Sequence, residues 1–380
     1  MDLNVEVRYL LLEHKRILIL DSVETKYYPA QQLDFKVLVR CFTYNQSKYI
    51  EDALNGFAMQ QTNFPFVCLV MDDASTDGEQ DVIKKWMECE CVVDKAETID
   101  IPTSVIIIVP HKNNSSCVFA FYLLKQNLYN IESQKMALVA PWREKCEYEA
   151  MCEGDDYWID SLKLQKQVDF LDANPEYSFC CHRFSIYKQD CKQWLSEYAD
   201  SFYTDGKNLE ITLDLFFKTW ITQPLTVVCR MEILKSIERE IMSYKYSRDV
   251  HLFYHLLKKG RGISLNDKMG VYRWHDGGVA SSLTLVGKYK LAVNIYEELY
   301  LHTNDAKILE VYIKNGINLI KYSSWSTETF LLFRKLWSYT NDIKEKFILL
   351  SSLITPIPIV KFISTMRTLC SKLTKPFLCK

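Results

Sequence analysis

The chain has 380 residues, of which 48% are hydrophobic and 25% charged, and a formal net charge of −2. This length buries a sizeable core and allows one large domain plus additions, while the near-neutral balance argues against nucleic acid or other polyanions as general partners. The 13 cysteines are odd in number, include no C-x-x-C pair, and lack zinc spacing at Cys89/Cys91 and Cys180/Cys181; several lie in apolar runs (Cys41, Cys68, Cys180, Cys229), where a free thiol behaves as a small hydrophobe, so a reducing, cytoplasmic setting is expected.

Residues 1–35 read as an N-terminal extension. Its apolar pieces Leu10–Leu12 and Ile17–Leu20 are separated by Glu13, His14, Lys15 and Arg16, so no secretory signal is expected there. Lys36–Phe42 predicts a strand, Thr43–Ser47 a polar loop and Lys48–Gln60 a helix. Phe66–Met71 predicts a second strand, followed by the acidic turn Asp72-Asp73-Ala74-Ser75-Thr76-Asp77-Gly78 and a helix over Glu79–Cys89. Strand, loop, helix, strand, loop, helix is a βαβ opening and implies a parallel sheet. Ser104–Pro110 supplies a third strand, and the stretch His111–Phe119 follows it. Neither a G-x-G-x-x-G fingerprint nor a Walker phosphate loop is present. A nucleotide here would be held by loop side chains and a metal.

Tyr148–Cys152 is a short apolar run that ends at Glu153-Gly154-Asp155-Asp156-Tyr157-Trp158. Carboxylates at the carboxyl end of a strand sit where open α/β sheets bind ligands. Crowded like charges repel unless a cation or solvent compensates. Mg²⁺ or Mn²⁺ takes such carboxylates together with substrate phosphates; a solvated acidic turn is the alternative. A helix is expected over Asp160–Ala173, a strand over Ser178–Tyr187, a polar and aromatic flap over Gln189–Glu210, a strand over Leu225–Arg230 and a helix over Met231–Met242. From 283 to 380 the pattern turns helical, as a C-terminal appendage. Phe347–Val360 is uncharged, yet too short and too broken by Pro356 and Pro358 to span a bilayer. The last 20 residues carry Lys361, Arg367, Lys372, Lys375 and Lys380 without an acid. That suits peripheral contact with an anionic inner membrane face or, equally, an ordinary helix with a solvated face.

The blocks Val37–Asn45 with Lys48–Leu54, Asp72–Gly78, Glu153–Trp158, Ser247–Leu252 and Val271–Gly278, in this order over Lys36–Ser282, resemble family 2 glycosyltransferases. Phe42 departs from the family's usual Pro, Glu153 replaces the first Asp of its DxD loop, and His111–Phe119 lacks its Asn-x-Gly and Ala-Arg-Asn. The resemblance implies a GT-A α/β domain over 36–282, with a mixed, mostly parallel sheet flanked by helices. It implies inverting, metal-dependent transfer from a nucleotide-sugar donor, UDP-sugar foremost, to a hydroxyl of a glycan or lipid-linked acceptor, in surface polysaccharide or lipid-linked glycan assembly. By the same resemblance Asp249 is the catalytic base. Thr43, Tyr44, Asp73 and Glu153 face the nucleotide, and Asp155, Asp156 and His275 face Mn²⁺ or Mg²⁺. Arg273 suits a phosphate or a carboxylate, and Trp158 and Trp274 suit a sugar platform or core packing. Asp249 also suits a helix amino end, where the macrodipole favours an acid. Two other classes stay open: a catalytically silent domain that binds a nucleotide or partner, and a sugar nucleotidyltransferase. The presence of Asp73, Asp155, Asp156 and Asp249 argues against the first, and the missing Gly-rich basic loop against the second.

Overall fold

The computed structural model describes residues 35–129, 132–204, 206–246, 248–278, 283–324, 326–340 and 343–354. The expected extension over 1–34 and the tail from 355 lie outside these. Contacts divide the chain into two compact units, Met1–Ser243 with Asp249–His275, and Tyr244–Arg248 with Asp276–Lys380.

The first unit runs β1 (Val37–Thr43), α1 (Ile50–Ala58), β2 (Phe66–Asp72), α2 (Glu79–Glu90), β3 (Glu97–Ile101), β4 (Ser104–Pro110), β5 (Cys117–Leu124), α3 (Glu132–Arg143), β6 (Tyr148–Met151), β7 (Tyr157–Trp158), α4 (Lys163–Ala173), β8 (Tyr177–Lys188), β9 (Gln193–Leu195), β10 (Leu209–Ile211), α5 (Leu213–Lys218), β11 (Val228–Arg230), α6 (Met231–Ser243), α7 (Asp249–Lys259) and β12 (Arg261–Trp274). Among the described residues the strands form one twelve-stranded sheet, ordered β10-β12-β8-β11-β6-β1-β2-β5-β4-β3, with β7 on β12 and β9 on β8. β6, β1, β2 and β5 are mutually parallel. β11 is antiparallel to both β6 and β8, and β12 is parallel to β8. Six strands therefore end at one edge of a mixed, mostly parallel sheet flanked by helices.

The central strands are mostly apolar because both faces are covered. Alternation sorts their side chains: Val37, Val39, Phe66, Cys68 and Val70 enter one core with Leu54, Phe57 and Ile83 of α1 and α2, whereas Leu38, Val67, Leu69 and Met71 enter the other with Val139 and Trp142 of α3. One charge lies inside β6. Glu149 is fully buried between the Arg40 Nε at 2.7 Å and the Arg143 Nε at 2.6 Å. Burial alone would raise its carboxyl; the guanidiniums of Arg143 and Arg40 overcome that and bring it down to about 2.

Three expectations change. Ser104–Pro110 is a strand, but it pairs antiparallel with β5. Cys117–Phe119 open β5, a buried strand beside β2, and are not part of a loop. The flap expected over Gln189–Glu210 is tethered to the sheet: β9 pairs with β8, β10 pairs with β12, and Arg183 binds Glu197 at 2.5 Å and also Asp200.

The second unit contains α8 (Leu285–Thr303), α9 (Ala306–Tyr322), α10 (Thr327–Tyr339) and α11 (Ile343–Ile354). Thr284, Asp305 and Ser326 cap the first three, accepting backbone N–H groups of Gly287, Lys307 and Thr329. Val293, Tyr312, Ile313, Ile320, Leu336 and Leu349 form its core. Among the described residues no helix is long and apolar enough to cross a membrane.

Candidate functional site

The loops that leave β1 and β2 are knitted together. The Thr43 carbonyl accepts the Asp73 N–H at 3.0 Å. Asn45, left-handed at φ 55°, donates its N–H to Ser75 Oγ at 2.9 Å and accepts the Thr76 N–H at 2.8 Å. Glu79, the first residue of α2, lies beneath both loops and is fully buried. It accepts the Gln46 N–H at 2.8 Å, the Ser75 hydroxyl at 2.9 Å and the Thr43 hydroxyl. Burial pushes its carboxyl up against these hydrogen bonds. In sequence Glu79 shows only as a helix start, since nothing in its spacing marks it as a tie between loops.

Of the four residues expected at the nucleotide, Tyr44 and Glu153 are exposed, whereas Thr43 and Asp73 are each 3% exposed. The Thr43 hydroxyl is spent on Glu79. Both oxygens of Asp73 are engaged, Oδ2 by Lys135 Nζ at 2.6 Å and Oδ1 by the Leu128 N–H at 2.6 Å. Lys135, on α3, sits below the rings of Phe42 and Tyr129 with its Nζ 5.7 and 5.9 Å from their centroids. A lone lysine in a lead-in segment gave no sequence signal.

The acidic loop after β6 passes hard against the end of β1. A Cβ on Gly154 would fall 2.2 Å from Thr43 Oγ1 and 2.6 Å from Gln46 Oε1, so only glycine fits. Asp155 and Asp156 then turn toward the end of β12. Asp155 Oδ2 meets His275 Nε2 at 3.0 Å. Asp156 Oδ1 accepts the Arg273 N–H at 2.8 Å. Burial, with the charge of Asp155 second, holds the Asp156 carboxyl well above the usual range.

Arg273 is 6% exposed, and its guanidinium lies between the rings of Tyr49 at 4.6 Å and Tyr157 at 4.9 Å. Nη2 reaches Asp52 of α1 at 2.6 Å, while the buried Nε and Nη1 have no hydrogen-bond partner in the protein. Tyr49 also contacts the His275 ring, with centroids 4.8 Å apart. Trp274 is half-buried against the core. Trp158 is not a sugar platform. It is 2% exposed, donates Nε1–H to the Leu225 carbonyl at 2.8 Å, and is covered by the Phe57 ring at 4.9 Å. Gly56 lets α1 approach this closely, since a Cβ there would be 2.9 Å from Trp158 N. Lys163 also stands over the ring, fully buried, with its Nζ 3.8 Å from the centroid and no hydrogen-bond partner; burial pushes the ammonium down to about 7.

Asp249 is the first residue of α7. Ser178 donates to the Leu256 carbonyl at 2.9 Å, and Phe253 packs on Phe179 at 5.5 Å. Those contacts run α7 antiparallel to β8, so Asp249 is at the helix end directed toward the edge where the parallel strands finish.

Asp155 and His275 fit a divalent ion in part. Two ligands at right angles on an octahedral ion with bonds of about 2.1 Å stand about 3 Å apart, the spacing of their Oδ2 and Nε2 atoms. Among the described residues no group of three or more His, Cys, Asp or Glu side chains converges to hold a metal. The remaining ligands would come from water and a substrate phosphate, a common arrangement for Mg²⁺.

No protein-family model matches the chain. In sequence it is similar to Uncharacterized protein Rv1520 of Mycobacterium tuberculosis (strain ATCC 25618 / H37Rv) and Uncharacterized protein Mb1547 of Mycobacterium bovis, each 29% identical over 238 residues, or 62% of this chain. The match spans 58% of the length of these relatives. Among solved structures it is similar to S. aureus TarS 1–349 in complex with UDP-GlcNAc, at 18% identity and a TM-score of 0.48 over 84% of this chain and 79% of that one. It is also similar to the mannosyltransferase PcManGT from Pyrobaculum calidifontis in complex with GDP-Man and Mn²⁺, at 14% identity and a TM-score of 0.43 over 98% and 92% of the two chains.

Proposed function

We propose that the protein is an inverting GT-A glycosyltransferase of the family 2 type, transferring a sugar from a nucleoside-diphosphate donor to an acceptor hydroxyl. The observation that carries this reading is the meeting of two motifs distant in sequence: the acidic loop Glu153–Asp156 and the Arg273–His275 strand end converge at one edge of the sheet, 3.0 Å apart at Asp155 and His275. Open α/β sheets bind ligands at that edge.

The exposed Tyr44 ring offers a face for the base, and Glu153 an acceptor for a ribose hydroxyl. Asp73 acts one step back, holding Lys135 beneath Tyr129. A divalent cation on Asp155 and His275, with Asp156 behind them, would stabilise charge growing on the leaving diphosphate. Arg273 has two nitrogens, Nε and Nη1, without a hydrogen-bond partner beside that loop, a geometry suited to an anionic oxygen. Asp249 takes the proton of the acceptor hydroxyl as that oxygen bonds to the anomeric carbon and the bond to the diphosphate breaks. Attack opposite the leaving group inverts the centre. The acceptor class, a glycan or lipid-linked saccharide, belongs to this proposal.

The test is a panel of UDP-, GDP- and dTDP-sugars, read as nucleoside diphosphate released with and without Mn²⁺. Release from one donor, lost in Asp155→Asn, is expected. Binding without release from any donor, in the presence of simple saccharide acceptors, would leave a nucleotide-binding module in place of an enzyme.

A further inference from the structure

The second unit exposes an apolar strip that its own core does not use. Phe330 is 47% exposed, Trp337 36%, Phe347 73% and Leu350 41%. Trp337 and Leu350, with Phe333 and Arg334, line an open hollow of about 270 Å³. Helical spacing extends the strip, since Phe330 lies one turn from Arg334 on α10 and Phe347 one turn from Leu350 on α11. Cations punctuate it: Arg334 borders the hollow, and Lys346 Nζ stands 5.3 Å from the Trp337 ring centroid.

We propose that this face of α10 and α11 docks onto an anionic lipid surface and lies in its plane. Aromatic rings interleaved with long cationic side chains suit the headgroup boundary, where rings enter the acyl margin and ammonium or guanidinium groups reach phosphates. Charge selects this occupant over two others. Residues 355–380 contain Lys361, Arg367, Lys372, Lys375 and Lys380 and no acid. Folding them over the strip would set these cations against Arg334 and Lys346. A second copy seated on the same face would likewise oppose cation to cation. An anionic bilayer neutralises both sets, because cations near its surface are drawn to its negative potential. The sequence alone pointed to the tail from Phe347; the structure adds α10, with Trp337 at the centre. This inference is independent of the proposed catalysis.

The experiment is flotation of the full chain with vesicles of phosphatidylcholine alone, or with about 30% phosphatidylglycerol to set an anionic surface. Binding is expected to the anionic vesicles only, and to weaken as salt rises. Phe347→Glu should lower the partition coefficient roughly tenfold, and Lys346→Glu roughly fivefold or more. Neither position is among the residues of the candidate active site, so donor hydrolysis with soluble substrates should be unchanged. Quenching by brominated lipid should be smaller in Trp337→Phe than in the parent chain, a readout that does not depend on stability. Equal binding to neutral vesicles, or none to either kind, overturns the proposal. So does a Phe347→Glu chain that floats like the parent, which would place binding in the tail alone. A parent dimer that Phe347→Glu converts to monomer, without vesicle binding, would assign the face to a second copy.

Discussion

The Nε2 of His275 and the Oδ2 of Asp155 stand 3.0 Å apart across 120 residues of sequence. Each is held from behind: His275 by the Tyr49 ring, Asp155 by a loop that only Gly154 allows against Thr43. If the pair receives a divalent ion that a diphosphate completes, nucleotide and metal should stabilise the fold jointly. UDP or another nucleoside diphosphate is expected to raise the melting temperature only with Mn²⁺ or Mg²⁺. Saturation at about 100 Kd would correspond to about 2.7 kcal/mol. An equal shift in excess EDTA would remove the metal bridge.

Asp249→Asn separates a base from a helix-end charge. Asparagine keeps the size and tolerates a helix amino end, so stability and donor binding should survive. Transfer should fall by roughly 10²-fold or more, the scale of general-base catalysis. Near-native kcat in the variant, with donor affinity measured on the same sample, would exclude Asp249 from the chemistry.

Glu149→Gln should be severe although Glu149 is not a residue of the candidate site. It leaves the buried Arg143 and the part-buried Arg40 against a neutral group, and breaking a buried pair costs about 3–5 kcal/mol. The pH dependence has a defined sign. The folded carboxyl is depressed from 4.5 to about 2, so its contribution is complete above about 4.5 and is lost as pH falls toward 2. Urea unfolding of parent and variant between pH 7 and pH 3 should therefore show the gap narrowing in acid. A constant gap would mean that packing, not charge, sets the loss.

Lys163→Met should act in the opposite direction. The folded ammonium is depressed from 10.5 to about 7, so the unfolded chain binds the extra proton between these values. Stability is penalised below pH 10.5 and progressively more toward pH 7. Methionine fills similar space against Trp158 without that penalty. The variant should be more stable at pH 7, and its advantage should shrink as pH approaches 10.5. A variant less stable than the parent at both pH values would mean that the Lys163–Trp158 contact outweighs the desolvation.

The central strands and acidic loops were legible because their signals are local. Val37–Phe42, apolar but for Arg40, and Phe66–Met71 stop at polar turns, and Asp155 and Asp156 are adjacent. What was hidden depends on distant partners. β5 was obscured because its apolar run follows the polar His111–Ser116. Trp158 is buried by Gly56 and Phe57, about a hundred residues earlier in the chain, and no property of its own loop signals that. Asp73 looks free in sequence because Lys135 is far away and isolated. The tie between Arg273 and Asp52 spans 221 residues.

The same long spans set an order of assembly during synthesis. Asp156 is secured by the backbone N–H of Arg273, 117 residues later. At 5–20 residues per second, a ribosome needs roughly 6–23 s to cover that interval. Throughout it, the acidic loop is without the strand that holds it, and once β8 has been made its edge is open along the length that β12 will occupy. The nascent chain therefore carries this acidic turn and the open edge of β8 together until the last strand of the unit arrives. Translation pauses before β12 has emerged from the ribosome would prolong that exposure.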